Sequence, residues 1–218
     1  VSGADLVHFP EMALSGFIGG DVPDLEAFDW PAFDMELGAI RATCAEHGIS
    51  AVVGGPHLDP SFKRPFNSLY VISNRGELVA RYDKRFCSHN EIAIGFAAGE
   101  TPLVMDLGGI RLGFVICIEV NFPELFLEYE RLDVTAVLFS SSHARTDMFR
   151  IQAQGHAASN NFWISYSVPL HSRQMASACL IGPDGRIIGA VDGHAPGIAI
   201  NDIVPTAKEW EVPLTKAR

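Results

Sequence analysis

Three side chains that could share one nucleophilic reaction stand at the ends of apolar, strand-like runs: Glu11 after ADLVHFP, Lys84 after ELVARYD and Cys117 after IRLGFVI. A thiol is mostly protonated at neutral pH, so a cysteine nucleophile needs a base to take its proton and a positive group nearby. A glutamate and a lysine meet those needs. As a thiolate attacks a carbonyl or nitrile carbon, charge grows on the substrate heteroatom, where a lysine ammonium in a water-poor pocket stabilises it. The backbone N–H of Ile118, one residue past the nucleophile, is a natural second donor. Each residue alone has a plainer reading: Cys117 as an inert core thiol, Glu11 as a strand-end cap, Lys84 as a solvated cation. The conjunction carries the argument.

The elements that must position these groups are legible in outline. Buried strands of α/β proteins read as near-continuous apolar runs, and ligands bind beyond the strand ends. ADLVHFP reads as such a strand, broken at Pro10-Glu11 and running into a Gly-containing loop. Phe33, Leu37, Ile40 and Cys44 recur at helical spacing from Trp30 to a stop at Gly48, and the strand ISAVVGG follows. SLYVIS and ELVARY form a hairpin around Asn74-Arg75-Gly76, and the stretch from Arg85 to Gly99 reads as a loop with at most one helical turn. A second hairpin turns at Gly108-Gly109 and delivers Cys117 to a helix with Pro123 in its first turn. VTAVLFSSS is a strand, a helix spans about Thr146 to Asn160, and FWISYSV is the next strand. A third hairpin turns at Pro183-Asp184-Gly185, and GIAINDI reads as a last strand.

The bulk numbers narrow the class. A chain of 218 residues with 48% hydrophobic residues fits one α/β domain with an ample core, spanning residues 1–218. Charged residues are only 19%, which suggests surface covered by another subunit. The net charge of −10 without a basic cluster argues against nucleic acid as a partner. Cys44, Cys87, Cys117 and Cys179 are far apart, so neither a disulfide framework nor a zinc site is expected. No run reaches the roughly 18 to 20 apolar residues that span a bilayer, and the N-terminus lacks a signal-peptide pattern, so no membrane association and a cytoplasmic location are the default expectations.

With these segments in hand, the chain resembles the nitrilase superfamily of carbon-nitrogen hydrolases over almost its whole length. GADLVHFPEMALSGF is similar to that family's glutamate segment, NSLYVISNRGELVARYDKRF to its hairpin and lysine segment, and GFVICIEVNFPELF to its cysteine segment. The order Glu, Lys, Cys also matches, and ACLIGPDGRIIG is similar to the late hairpin. The resemblance implies Glu11 as general base and later acid, Lys84 as oxyanion stabiliser, Cys117 as nucleophile and a thioester intermediate. It implies a second glutamate that helps position substrate or water, Glu91 or its rival Glu100. It also implies a four-layer αββα sandwich that pairs into a homodimer or higher homo-oligomer, with no metal and no organic cofactor.

Two departures from the pattern stand out. The family opens with a strand and a long helix ahead of the glutamate segment, and this sequence begins almost at that segment, so the expectation is an N-terminally incomplete domain. Where members acting on N-carbamoyl amino acids carry carboxylate-gripping arginines, this chain has Val120 and Asn121. His143 and Arg145, just past the Ser140–Ser142 strand end, are candidate pocket residues, and Arg173 is another cation that could meet a carboxylate. The rival mechanism is a Cys117 pair with His143 or His156. The substrate reading is a small amide, carbamoyl compound or nitrile. The alternatives are an acyltransferase using the same thioester, and a catalytically impaired or non-enzymatic scaffold of the same fold.

Overall fold

In the computed structural model, residues 3–59, 61, 64–142, 147–170, 177–192 and 196–205 are described. They fall into two compact units, Val1–Thr101 and Pro102–Arg218, each built on one sheet.

The first unit carries a four-stranded sheet in the order β1-β2-β3-β4, with β1 Leu6–His8, β2 Ser50–His57, β3 Phe66–Ile72 and β4 Leu78–Asp83. β1 runs parallel to β2, and the β2-β3 and β3-β4 pairs are antiparallel. The long helix α1, Trp30–His47, starts where the Asp29 carboxylate accepts the Ala32 N–H and Pro31 sits in the first turn. It stops at Gly48, whose φ of 64° is the left-handed cap expected of glycine. Its buried residues Phe33 and Cys44, with Leu37 and Ile40, pack on Ala51, Val53, Tyr70 and Ile72 of the sheet. The stretch expected to be a loop contains a short helix, α2, His89–Ile94, on a capping box formed by Ser88 and Glu91.

The second unit has a six-stranded sheet in the order β10-β9-β8-β7-β6-β5. Its strands are β5 Val104–Leu107, β6 Ile110–Ile116, β7 Ala136–Ser140, β8 Trp163–Ser167, β9 Cys179–Ile181 and β10 Ile187–Ala190. β6, β7 and β8 are parallel, and the crossovers between them are α3, Pro123–Arg131, and α4, Met148–Asn160. These central strands are buried along almost their whole length, which is why they read as unbroken apolar runs. β5-β6 and β9-β10 are antiparallel hairpins at the predicted turns Gly108-Gly109 and Pro183-Asp184-Gly185, and the β8-β9 pair is also antiparallel.

GIAINDI is a correction: residues 197–203 form no strand. Ile198 and Ile200 are 81% and 60% exposed, so the apolar alternation that suggested a strand faces solvent instead of a sheet partner. Among the described residues no helix is long and apolar enough to cross a membrane, and no group of histidine, cysteine and acidic side chains is arranged to hold a metal ion.

Candidate active site

Glu11, Lys84 and Glu91 converge in the first unit. Glu11 lies just beyond β1, in a turn that crosses β2 at Gly54. The Leu14 N–H donates to the Gly54 carbonyl at 3.1 Å, and Met12 takes a left-handed φ of 54°. Lys84 is the first residue past β4, its N–H held by the Asn67 carbonyl at 2.8 Å and its carbonyl by the Gly99 N–H at 2.8 Å. Glu91 is the third residue of α2, where the capping box fixes it: its N–H donates to Ser88 Oγ at 3.2 Å, and its Oε2 accepts the Ser88 N–H at 2.7 Å.

All three residues are buried, at 2%, 1% and 0% exposure. Lys84 Nζ lies 3.0 Å from Glu11 Oε1 and 2.8 and 2.9 Å from the two oxygens of Glu91. Asn67, also fully buried, donates through Nδ2 to Glu11 Oε1 and Glu91 Oε1, both at 2.7 Å. Charges removed from water persist only when paired and hydrogen-bonded, and this cluster supplies both conditions. Of the two glutamates left open by the sequence, Glu91 is the one at the lysine, while Glu100 is exposed.

Cys117 stands in the second unit at the carboxyl end of β6, the first residue of a 3₁₀ turn, Cys117–Asn121. Its φ is +53°, a conformation that costs a non-glycine residue about 1–2 kcal/mol and sets its side chain off the strand's alternation. Glu119 and His156 both help to hold the turn. The buried Glu119 carboxylate accepts the Ile116 N–H at 2.7 Å, and His156 Nε2 donates to the Val120 carbonyl at 2.9 Å while its ring stacks on Phe126 at 3.7 Å. A carbonyl can only accept, so the Nε2 proton of His156 is committed there, and burial lowers that histidine's pKa, partly offset by the Val120 bond. Ile118 follows Cys117 in the turn and is half-buried. Val120 is buried, and Asn121 Oδ1 accepts from Gln152 at 2.7 Å. Of the other thiols, Cys44 and Cys179 are buried and pushed upward by that burial, Cys179 to about 11.

His143, Arg145 and Arg173 lie outside the described residues. Sequence reasoning missed Asn67 and Glu119. Both had a signal, a polar residue in an apolar strand-forming run, at F-N-S-L-Y-V-I and, two residues past Cys117, at V-I-C-I-E-V.

A family model described as "Carbon-nitrogen hydrolase" matches residues 2–211. Among curated proteins, the chain is 20% identical over 211 residues to "Nitrilase homolog 2" of Dictyostelium discoideum, covering 88% of this chain and 63% of that protein. It is 24% identical over 188 residues to an omega-amidase of Saccharomyces cerevisiae, covering 77% of this chain and 64% of that one. The chain thus spans just under two thirds of the length of these relatives. Among solved structures, an amidase from Nesterenkonia sp. AN1 superposes with a TM-score of 0.79 at 20% identity, covering 98% of this chain and 87% of that chain. That likeness bears out the nitrilase-type α/β fold. A variant of the Nesterenkonia amidase has been solved with acrylamide added at its active-site cysteine, and another in complex with butyramide.

Proposed function

We propose that this chain, which belongs to the carbon-nitrogen hydrolase family, hydrolyses a small amide through a thioester on Cys117, with Glu11 as base and acid, Lys84 as oxyanion stabiliser and Glu91 as the second glutamate. The observation that carries the reading is the buried Glu11–Lys84–Glu91 cluster, three ionisable groups where an ordinary core would have apolar packing. Glu11 takes the thiol proton as sulfur attacks the carbonyl carbon. The oxyanion is stabilised by the Lys84 ammonium and the Ile118 N–H. On collapse, Glu11 returns the proton to the leaving nitrogen, ammonia departs, and a thioester remains. Glu11 then deprotonates water, which attacks the thioester and releases the acid and the thiol. Glu91, bonded through both oxygens to Lys84, keeps the ammonium in place and charged.

Neutral amides are the preferred substrates in this reading. Val120 and Asn121 offer no cation, and Asn121 is engaged by Gln152, so a carboxylate beside the turn would lose its solvation without a partner there. The test is ammonia release across a panel of aliphatic amides, ω-amides, nitriles and N-carbamoyl amino acids, with Cys117→Ala alongside. Release from neutral amides that vanishes in Cys117→Ala supports the proposal. Parent-level turnover in Cys117→Ala removes the thioester from the mechanism, and release from no compound favours the scaffold alternative. A carboxylate-bearing substrate that wins by tenfold in kcat/KM refutes the preference for neutral amides, and acyl transfer to hydroxylamine that outruns hydrolysis favours the acyltransferase. The small-molecule partner, the homo-oligomeric state and the cytoplasmic location stay part of this proposal, as do the roles of His143 and Arg145 at the pocket.

A further inference from the structure

Asn67 spends its side chain in an unusual way. An asparagine amide has two N–H donors and one oxygen acceptor, and both donors here go to carboxylates, Glu11 Oε1 and Glu91 Oε1. Its Oδ1 is buried and has no hydrogen-bond partner among the described residues. Turning the amide over would set Oδ1 against two carboxylate oxygens, so the observed orientation is the one in which the amide donates to both. A residue kept for packing alone would not leave a buried acceptor unsatisfied, a loss that a nearly isosteric leucine avoids.

We propose that Asn67 is a positioning residue for the reaction, its amide bridging the two carboxylates so that Glu11 stays ionised and aimed in the resting site. The inference rests on the amidase reading above. A hydrogen bond donated to a carboxylate favours its charged form. Lys84 also supplies one, but it is shared with Glu91, which it meets through both oxygens, and in the proposed reaction its charge is needed by the oxyanion. Asn67 also reaches Glu91, but it carries no charge that the oxyanion needs, so its donation to the two carboxylates does not compete with the reaction. It disfavours a long-lived protonated Glu11, so the proton taken from the thiol passes on readily to the leaving nitrogen.

The experiment uses Asn67→Leu, which removes both donors and the orphaned acceptor at nearly constant volume, and Asn67→Ser, which restores one small donor should the leucine protein not fold. In the pH profile of kcat/KM for the best neutral amide, the acid limb should move up by about one pH unit in Asn67→Leu, with KM nearly unchanged and the loss largely recovered at higher pH. A second measurement needs no turnover. In Cys117→Ala protein carrying 13C-labelled glutamate carboxylates, with the Glu11 signal assigned through Glu11→Gln, the Glu11 titration midpoint should rise by about the same amount when Asn67 is replaced. A midpoint and an acid limb that stay put, even with a lower melting temperature, overturn the inference and leave Asn67 a packing residue. If the parent releases no ammonia from any amide, nitrile or carbamoyl compound, the amidase reading fails by itself, and the Glu11 midpoint still decides the role of Asn67.

Discussion

Gly54 is the point at which the fold admits the proposed base. A Cβ built there would lie 2.5 Å from the Met12 backbone nitrogen, 2.5 Å from the Pro10 carbonyl oxygen and 2.9 Å from the Glu11 carbonyl carbon. These are main-chain atoms, which cannot swing aside as a side-chain tip can, and the gap falls about 0.9 Å short of ordinary contact at 3.4 Å. Gly54→Ala must therefore push the Pro10–Met12 segment off β2 by close to that amount or bend the strand. Overpacking of this kind costs about 1–3 kcal/mol, and a chain of this size loses about 2–4 °C of melting temperature per kcal/mol. A displacement of about 1 Å at a catalytic group lowers turnover roughly 10²-fold. The matched control is Gly38→Ala in the exposed middle of α1, where a Cβ meets nothing within 4 Å. That change should stabilise by about 0.5–1 kcal/mol and leave activity alone. Thermal melts with kcat/KM on one neutral amide read both effects. A Gly54→Ala protein with parental melting temperature and parental activity would show that the Glu11 turn is not held against β2 as described.

Three further outcomes are expected. Iodoacetamide should alkylate Cys117 first, with the half-buried Cys87 next, while Cys44 and Cys179, buried and with raised pKa values, stay protected in the folded protein; peptide mapping that finds Cys179 reacting as fast as Cys117 refutes this. Stability should fall below about pH 6.5, because His8, His57 and His156 all fold with pKa values lowered chiefly by burial, His8 to about 3, so the unfolded chain binds more protons. Their contribution is complete above the unfolded value near 6.5 and is lost as pH falls toward each folded value, at about 1.4 kcal/mol per pH unit for His8; urea midpoints that are flat from pH 7 to 5 would contradict it. Lys84→Met alone should cost about 3–5 kcal/mol by stranding two buried carboxylates, whereas Glu11→Leu, Asn67→Leu, Lys84→Met and Glu91→Leu together should regain most of it, and urea melts in which the single and the quadruple variants match would refute the pairing.

The strands, the hairpin turns and the main helices were legible because each wrote its own period or punctuation into the chain. Gly48 stops α1 and Pro123 starts α3 where the sequence places them. The short helix α2 was less visible, since six residues are too few to display an apolar period or to stand without tertiary support. Its Ser88-His89-Asn90-Glu91 start nevertheless has the spacing of a capping box. GIAINDI misled in the opposite sense, because alternation reports that a segment can pair and says nothing of whether a partner strand is available. At the candidate site, residue type was readable, and the convergence of Glu11 and Lys84 was expected from the strand ends and that of Glu91 from the family resemblance. The left-handed φ of Cys117 and the double donation by Asn67 depend on backbone geometry and on residues far apart in sequence, which no local pattern encodes.

The positions singled out for chemistry are also the ones where the fold departs from its own local rules. In the first unit, a largely apolar core takes in a lysine, two glutamates and an asparagine with an orphaned oxygen. In the second, a strand of seven ordinary residues ends on a cysteine held at positive φ, with a buried glutamate tying down the turn. Buried ionic groups commonly give less stability than apolar residues of the same volume, and a strained φ gives none. A sequence selected for the fold alone would have replaced both with apolar side chains and relaxed backbone, as neighbouring positions on β3 and β6 show is feasible. Deviations of this sort cluster where function requires pre-organised charge and a pre-aimed nucleophile. Here they fall on Glu11, Lys84, Glu91 and Cys117, the groups the proposed reaction uses, and on Asn67 and Glu119, which tie down the carboxylates and the cysteine turn.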